Sequence, residues 1–344
     1  MKGCVIFEKP VYYNQRLSWT DECIRRNRMM TSPLYKGNFG IFNHYLYGDE
    51  NWVETTEALD ILALAKRIAD TGASRYCITL MQTRRYMLAP NRTYDEIAGT
   101  KPGEACCLRD VPLELGTELQ KYDIDLYLYY TGDGPLRDER IGRRFGLISR
   151  DFPESDTAKW MATPEFVAKW SAVLKEYAVR YGSLVKGWWI DGCYRGDRGH
   201  MGLGYNDTLL APYYDACKAG NHDCLVALND GCPVNDPVKN YIGEDYTCGE
   251  MTDFVNVPSA PTADGALMHI LAPLGMPPEG MPYYCSWCRP GIKRDAEYLA
   301  GYIRKLRKVP CALTIDILIR PDGTFDDAQA ETLRRVSELL ENEE

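Results

Sequence analysis

A single alternation runs through the chain and limits what it can fold into. A short apolar, β-branched or aromatic run is followed each time by a longer stretch whose apolar positions recur at helical spacing. Residues 39–47 (FGIFNHYLY) read as a strand, and 54–69 follow with Ala58, Ile61, Leu62, Ala65 and Ile68 at helix intervals. Strands are then expected at 74–81 (SRYCITLM), 125–130 (DLYLYY) and 185–190 (VKGWWI). Helices are expected over 111–119 and 164–181, the second with Thr163 as N-cap, Pro164 in its first turn and Gly182 as its stop. A fifth strand at 224–228, a sixth within 246–257, a seventh at 281–287 and a last at 312–319 continue the series, with helices over 295–306 and 326–340. Strands that alternate with helices pair in parallel through right-handed crossovers, and about eight such units close a (β/α)8 barrel. The expected architecture is an irregular TIM-type barrel, with residues 1–344 forming a single catalytic domain and no appended β-sandwich. A doubly wound open sheet is the alternative, but no GxGxxG or GxxxxGK[ST] follows any strand.

Composition narrows the partners. A net charge of −9, with no basic block, argues against nucleic acid or an anionic membrane. The 24 Tyr and 7 Trp supply rings of the kind that stack on sugars. Glu8, Lys9 and Pro10 interrupt any apolar stretch after Lys2, so no signal peptide is expected, and no run approaches the about 18 apolar residues of a membrane span. The 13 cysteines, among them the adjacent Cys106 and Cys107, show no disulfide framework and fit a reducing cytoplasm. Cys285 and Cys288 form a lone CxxC without a second ligand pair, and the chain has 4 His, so neither a metal nor another cofactor is expected. The expected partner is a carbohydrate, with homo-oligomerisation left open.

In a barrel of this kind chemistry gathers where strands become loops. The segment Trp188-Trp189-Ile190-Asp191-Gly192 is the sharpest such feature: a bulky apolar strand delivers a carboxylate at its tip, and a glycine then turns the backbone. A carboxylate that caps the next turn is the bland reading of Asp191. His44, Tyr130, Asn229, Asp230, Glu250 and Trp287 stand at other strand tips. Carboxylates for acid and base work, amides for hydroxyls and rings for the C–H face of a sugar make a set suited to a polyol.

These motifs resemble, in order, those of the retaining α-L-fucosidases, glycoside hydrolase family 29. The family's early FGIFIHWG strand is matched by Phe39-Gly40-Ile41-Phe42-Asn43-His44-Tyr45, and its GAKY segment by Gly72-Ala73-Ser74-Arg75-Tyr76. Leu126-Tyr127-Leu128-Tyr129-Tyr130 is similar to its third strand, and Trp189-Ile190-Asp191-Gly192 to its nucleophile strand. Asn229-Asp230, Asp245-Tyr246-Thr247-Cys248-Gly249-Glu250, Ser286-Trp287 and the stretch from Leu313 to Gly323 resemble its later segments. The resemblance covers roughly residues 17–340, the catalytic barrel only. It implies that Asp191 is the nucleophile and Glu250 the general acid/base, with Glu244 the main rival for the second role. His44, Trp189, Asp230, Tyr130 and Trp287 would bind the sugar.

One departure is large. Where the family carries K-H-H-D-G-F, with two adjacent histidines gripping sugar hydroxyls, this chain has Met81-Gln82-Thr83-Arg84-Arg85-Tyr86-Met87. Plain fucose is then not the expected sugar. Gln82 is placed to bind hydroxyls instead, and Arg84 or Arg85 to hold a carboxylate or sulfate through a guanidinium fork. The function expected is a cytoplasmic, cofactor-free retaining α-glycoside hydrolase for a small glycoside or oligosaccharide. The alternatives are a barrel that kept sugar binding and lost the chemistry, and a metal-dependent hydrolase or a thiol enzyme using Cys193.

Overall fold

Seven strands pair in parallel in one curled sheet of a computed structural model that describes residues 31–46, 51–149, 160–195, 203–232 and 235–341. They are β1 (Gly40–Asn43), β2 (Arg75–Thr79), β3 (Asp125–Thr131), β4 (Val185–Asp191), β5 (Leu225–Leu228), β6 (His269–Pro273) and β7 (Ala312–Asp316). Their order across the sheet is β6-β7-β1-β2-β3-β4-β5. The helices are α1 (Trp52–Glu57), α2 (Ile61–Asp70), α3 (Arg92–Ala98), α4 (Val111–Leu119), α5 (Glu139–Phe145), α6 (Pro164–Tyr181), α7 (Asp207–Lys218), α8 (Ala296–Arg307) and α9 (Asp327–Glu341). The architecture is the α/β, TIM-type barrel expected. The N-terminal stretch read for a leader, and Tyr47 at the end of the first expected strand, lie outside the described residues. Among the described residues no helix is long and apolar enough to cross a membrane.

The ring closes between β5 and β6 through residues 245–251. Thr247 N donates to Leu267 O at 2.9 Å, Leu271 N to Gly249 O at 2.9 Å and Met251 N to Leu271 O at 2.8 Å. On the β5 side one backbone bond remains, from Asp245 N to Val226 O at 2.9 Å. Side-chain carboxylates replace the missing ladder: Asp245 accepts from Val226 N at 2.9 Å and Glu244 from Leu228 N at 2.8 Å. Gly249 is required here, because at φ +61° its Cα sits against the His269 carbonyl and a Cβ would collide with it.

Three expected elements differ. The strand expected within 246–257 is reduced to isolated bridges at Tyr246 and Glu250. The helix expected over 54–69 is broken into α1 and α2, because the Asp60 carboxylate caps a new start by accepting from Ala63 N at 3.0 Å. Ile61, Leu64, Ala65 and Ile68 then form the buried stripe, each large side chain contributing about 1.5–3 kcal/mol of burial. The strand expected at 281–287 is a 3-10 turn, Tyr283–Ser286, and the strand itself is β6. Aromatic content imitated a strand at the first site. The terminal Pro273 and the brevity of β6 hid the real one.

Strand parity divides the core in two. Phe42, Cys77, Tyr127, Tyr129, Trp189 and Leu271 point into the barrel. Ile41, Tyr76, Leu128, Tyr130, Ile190 and Ile270 point outward to the helices. The period of two therefore decides which tip residues enter the cup.

Candidate active site

Three aromatic rings floor the cup. Phe42 stacks on Tyr129 with centroids 5.5 Å apart, and Tyr129 on Trp189 at 5.4 Å. Trp189 is held by its indole N–H, which donates to Cys248 O at 3.1 Å. One inward step beyond Trp189 the strand ends at Asp191, half-buried above the floor.

Four neutral donors aim at that carboxylate. Tyr129 Oη donates to Oδ2 at 2.5 Å and Asn229 Nδ2 to Oδ1 at 2.8 Å. Tyr194 Oη stands 3.4 Å from Oδ1 and Gln82 Nε2 3.5 Å from Oδ2, both at the long limit of a hydrogen bond. No described Lys or Arg forms an ion pair with Asp191. Burial, and then the Asp191 charge, hold the Tyr129 phenol well above its ordinary range, so it stays a donor.

Asn229 does more than bind one acid. The same Nδ2 that reaches Asp191 also reaches Glu250 Oε2 at 2.5 Å. One side-chain amide thus holds two carboxyl groups, one from the tip of β4 and one from the segment that closes the ring. Burial, and next the Asp191 charge, push Glu250 up to about 7, against the pull of the Asn229 and Cys232 hydrogen bonds and of His44. A third carboxyl, Asp133, fills the space over Gly192, whose φ of +67° and missing Cβ make room for it. Burial and the Asp191 charge hold Asp133 well above its usual range.

His44 closes the far wall. Its Nδ1 lies 3.0 Å from Asp316 Oδ1, and Asp316 Oδ2 accepts from Cys288 N at 3.2 Å. Burial opposes a charged ring, but Cys288 and Asp316 outweigh it and hold the imidazole well above its ordinary value. Trp287 meets the ring edge-on at 5.7 Å.

Of the residues singled out in the sequence, Asp191, Glu250, His44, Gln82, Trp189 and Trp287 converge on this cup. Asp230 follows Asn229 on the rim. Tyr130 does not enter. It points outward, stacks on Trp170 at 5.1 Å and donates to Trp170 O at 3.1 Å, because parity assigns the cup to Tyr129. Arg85 stacks on Tyr86, 4.9 Å from the ring centroid, and lines a surface recess with Trp52, Glu54 and Glu104. Arg84 is half-buried beside it. Neither arginine bonds to the carboxylate pair. The Cys193 thiol is buried against the Asp191 carbonyl at 3.6 Å and is held protonated by burial and by Asp133 and Asp191, so it is a poor nucleophile.

Glu244, the rival acid, is committed elsewhere. It accepts from Leu228 N at 2.8 Å, Asn240 N at 2.7 Å and Tyr241 N at 3.0 Å. Glu244→Ala would strand three backbone donors and should cost about 3 kcal/mol of stability. Urea unfolding measures that loss, and the folded variant should keep near-normal kcat; a collapse of kcat with stability intact would return Glu244 to the chemistry.

Sequence reasoning missed Tyr129, Tyr194, Asp133 and Asp316 as site residues. Inward parity counted back from Asp191 across the β3–β4 pairing, where Tyr129 faces Trp189 and Thr131 faces Asp191, is the signal that finds Tyr129.

No protein-family model matches this chain, and no curated protein matches it significantly. Solved structures do match. The endo-fucoidan hydrolase P5AFcnA from glycoside hydrolase family 107 superposes with a TM-score of 0.63 at 16% identity, over 91% of this chain and 93% of that one. Its relative MfFcnA4 gives 0.65 at 12% identity, over 90% of this chain and 54% of that one. The unliganded α-L-fucosidase AlfC from Lactobacillus casei gives 0.57 at 16% identity, over 90% and 97%. The chain shares their fold. At such identities the likeness is one of architecture, and any function has to be argued from the site.

Proposed function

We propose that the protein is a retaining glycoside hydrolase, related to the α-L-fucosidases, that acts on a small glycoside or oligosaccharide other than a plain fucoside. The bridging amide of Asn229 carries the reading. Bonds of 2.8 and 2.5 Å from one nitrogen keep the two acidic oxygens within the about 5–5.5 Å of a retaining pair, short of the about 6.5–9.5 Å of an inverting one. The fold shared with fucoidan hydrolases and a fucosidase supports it.

Asp191 is the nucleophile in this scheme. Its carboxylate attacks the anomeric carbon while the bond to the leaving oxygen breaks and Glu250 gives that oxygen its proton. The glycosyl ester on Asp191 is then cleaved by water, whose proton returns to Glu250. Two displacements on one carbon preserve the anomeric configuration. The geometry and electrostatics separate the roles: Asp191 accepts from Tyr129 and Asn229 at the tip of β4, whereas Glu250 is raised toward neutrality and starts as the acid. Gln82 stands where the fucosidases keep histidine, and with His44 and Trp287 it selects the sugar.

The pH profile of kcat/KM tests the assignment of the acid. Because protonated Glu250 is required and its carboxyl is raised to about 7, activity should fall as pH rises through that value. The Asn229 amide favours the charged form of Glu250, so Asn229→Ala should move this alkaline limb upward while lowering kcat. A limb that stays in place in the variant would remove Glu250 from the acid role.

The absent histidine pair favours a second reading, a sugar-binding barrel without turnover. Measurable hydrolysis of any aryl glycoside that depends on Asp191 excludes it.

A further inference from the structure

The far wall of the cup contains a carboxylate that the two-acid scheme does not use. Asp316 ends β7, the strand paired with β1, and is 1% exposed. Its Oδ1 lies 3.0 Å from His44 Nδ1, and its Oδ2 accepts from Cys288 N at 3.2 Å. Phe42 points into the barrel, and His44, two residues on, keeps that side. A carboxylate only accepts, so the Nδ1 that faces it carries a hydrogen and the ring is held in one orientation.

A carboxylate this deeply buried is costly unless a cation sits on it. Among the described residues no Lys or Arg forms an ion pair with Asp316, and His44 is the group in place. Lys293 is close enough to feel Asp316, but its ammonium answers first to burial, Asp253 and Arg294, and it donates to Thr252 O. The Cys288 bond comes from a neutral amide and cannot balance the charge.

The groups around the imidazole agree. Phe42 and Trp287 meet it edge-on at 4.3 and 5.7 Å and bring no charge, and Tyr129 does so at 5.8 Å with its phenol kept neutral. Burial opposes a charged ring, but Cys288 and Asp316 outweigh it. On the cup side the ring acts on Glu250. Burial and Asp191 raise that carboxyl, while Asn229, Cys232 and the His44 charge pull it back.

We propose that Asp316 is a positioning residue: it fixes His44 as a positively charged hydrogen-bond donor in the wall of the cup, within electrostatic reach of Glu250. Two consequences follow from the charge. A charged N–H grips a sugar oxygen more strongly than a neutral one. The same charge keeps Glu250 from rising too far, which matters because the residue must give up its proton and then serve as a base. This second consequence rests on the reading of Glu250 as the acid; the charge on His44 rests on the ion pair alone.

The chain has 4 His, so the ring can be observed directly by NMR titration of the full chain labelled with 13C at histidine Cε1. The His44 resonance is assigned by its absence in His44→Gln. It should remain that of a protonated ring well past neutral pH. In Asp316→Asn, which keeps the shape of the side chain, it should titrate at or below the ordinary ~6.5, because an amide cannot balance an imidazolium. A His44 that is neutral at pH 7 in the parent, or that titrates alike in parent and variant, overturns the proposal. No substrate is needed, so a failure of the glycosidase reading leaves this measurement decisive.

The pH profile of kcat/KM on the nitrophenyl glycoside that the parent cleaves fastest tests the link to Glu250. The sign discriminates. Were Asp316 only a nearby negative charge, its removal would lower Glu250 and move the alkaline limb down. Acting through His44, its removal takes away the imidazolium, so Glu250 rises and the limb moves up, with KM raised about tenfold. His44→Gln should move the limb the same way, and Asp316→Asn added to it should move it no further. A limb that falls or stays in place in Asp316→Asn, or shifts that add in the double variant, would show that Asp316 does not act through His44.

Discussion

Asp191→Asn is expected to reduce kcat on an activated aryl glycoside by a factor on the order of 10⁴, equivalent to about 5 kcal/mol of barrier. The substitution keeps the volume and shape of the side chain and one carbonyl acceptor for the Tyr129, Asn229 and Tyr194 donors. The fold should therefore survive, with Tm close to that of the parent. What is lost is the anionic oxygen that forms the glycosyl ester. If the protein merely binds sugar, the substitution changes affinity and there is no turnover to lose. Parent activity that persists unchanged in the variant would end the proposed mechanism, because no other described carboxylate both reaches the cup and shares a hydrogen-bond donor with Glu250.

Glu250→Ala should act differently on the two half-reactions. With a leaving group as good as dinitrophenolate, the first displacement needs little acid assistance. The second still needs a base for water, so the glycosyl-enzyme should accumulate and kcat fall by about 10²–10⁴. Added azide needs no base and fits the space left by the side chain. It should restore turnover and yield a glycosyl azide with the anomeric configuration of the substrate. An azide product of opposite configuration would mean that position 250 carries the nucleophile. Rescue in Glu244→Ala but not in Glu250→Ala would exchange the roles of the two glutamates. The hydrogen bonds argue against that exchange, since Glu244 spends its oxygens on Leu228, Asn240 and Tyr241 N–H groups that the barrel would otherwise leave unpaired.

The errors of sequence reading are themselves physical. Tyr130 was the aromatic nearest the strand tip, yet Tyr129 faces Asp191; a shift of one residue reverses the face of a strand, and only pairing to β4 fixes which face is inward. Residues 281–287 looked like a strand because Tyr and Trp are common in strands, but they carry Trp287 to the cup on a 3-10 turn. β6 ends on Pro273 beside a run rich in prolines, which disguises it as a loop. The helical pattern from 54 to 69 runs through Asp60, whose side chain caps a new helix and so interrupts it. Arg84 and Arg85 follow Gln82 through a tight turn at Thr83, φ +56°, which Arg84 N closes by donating to Gln82 O at 2.6 Å.

The sequence by itself determined that strands alternate with helices, that a tryptophan-backed carboxylate ends the fourth strand, and that Gln82 and Thr83 follow the second. These are local properties, set by periodicity and by the residues that start and stop elements. The tertiary structure alone decided that Asp191, Asn229 and Glu250 share one hydrogen-bonded centre. Such encounters depend on how far each strand is tilted and staggered when the ring closes, and on Glu244 and Asp245 completing a ladder that the backbone leaves open. No spacing along the chain encodes those distances, because they arise from hydrogen bonds between segments that meet only after folding.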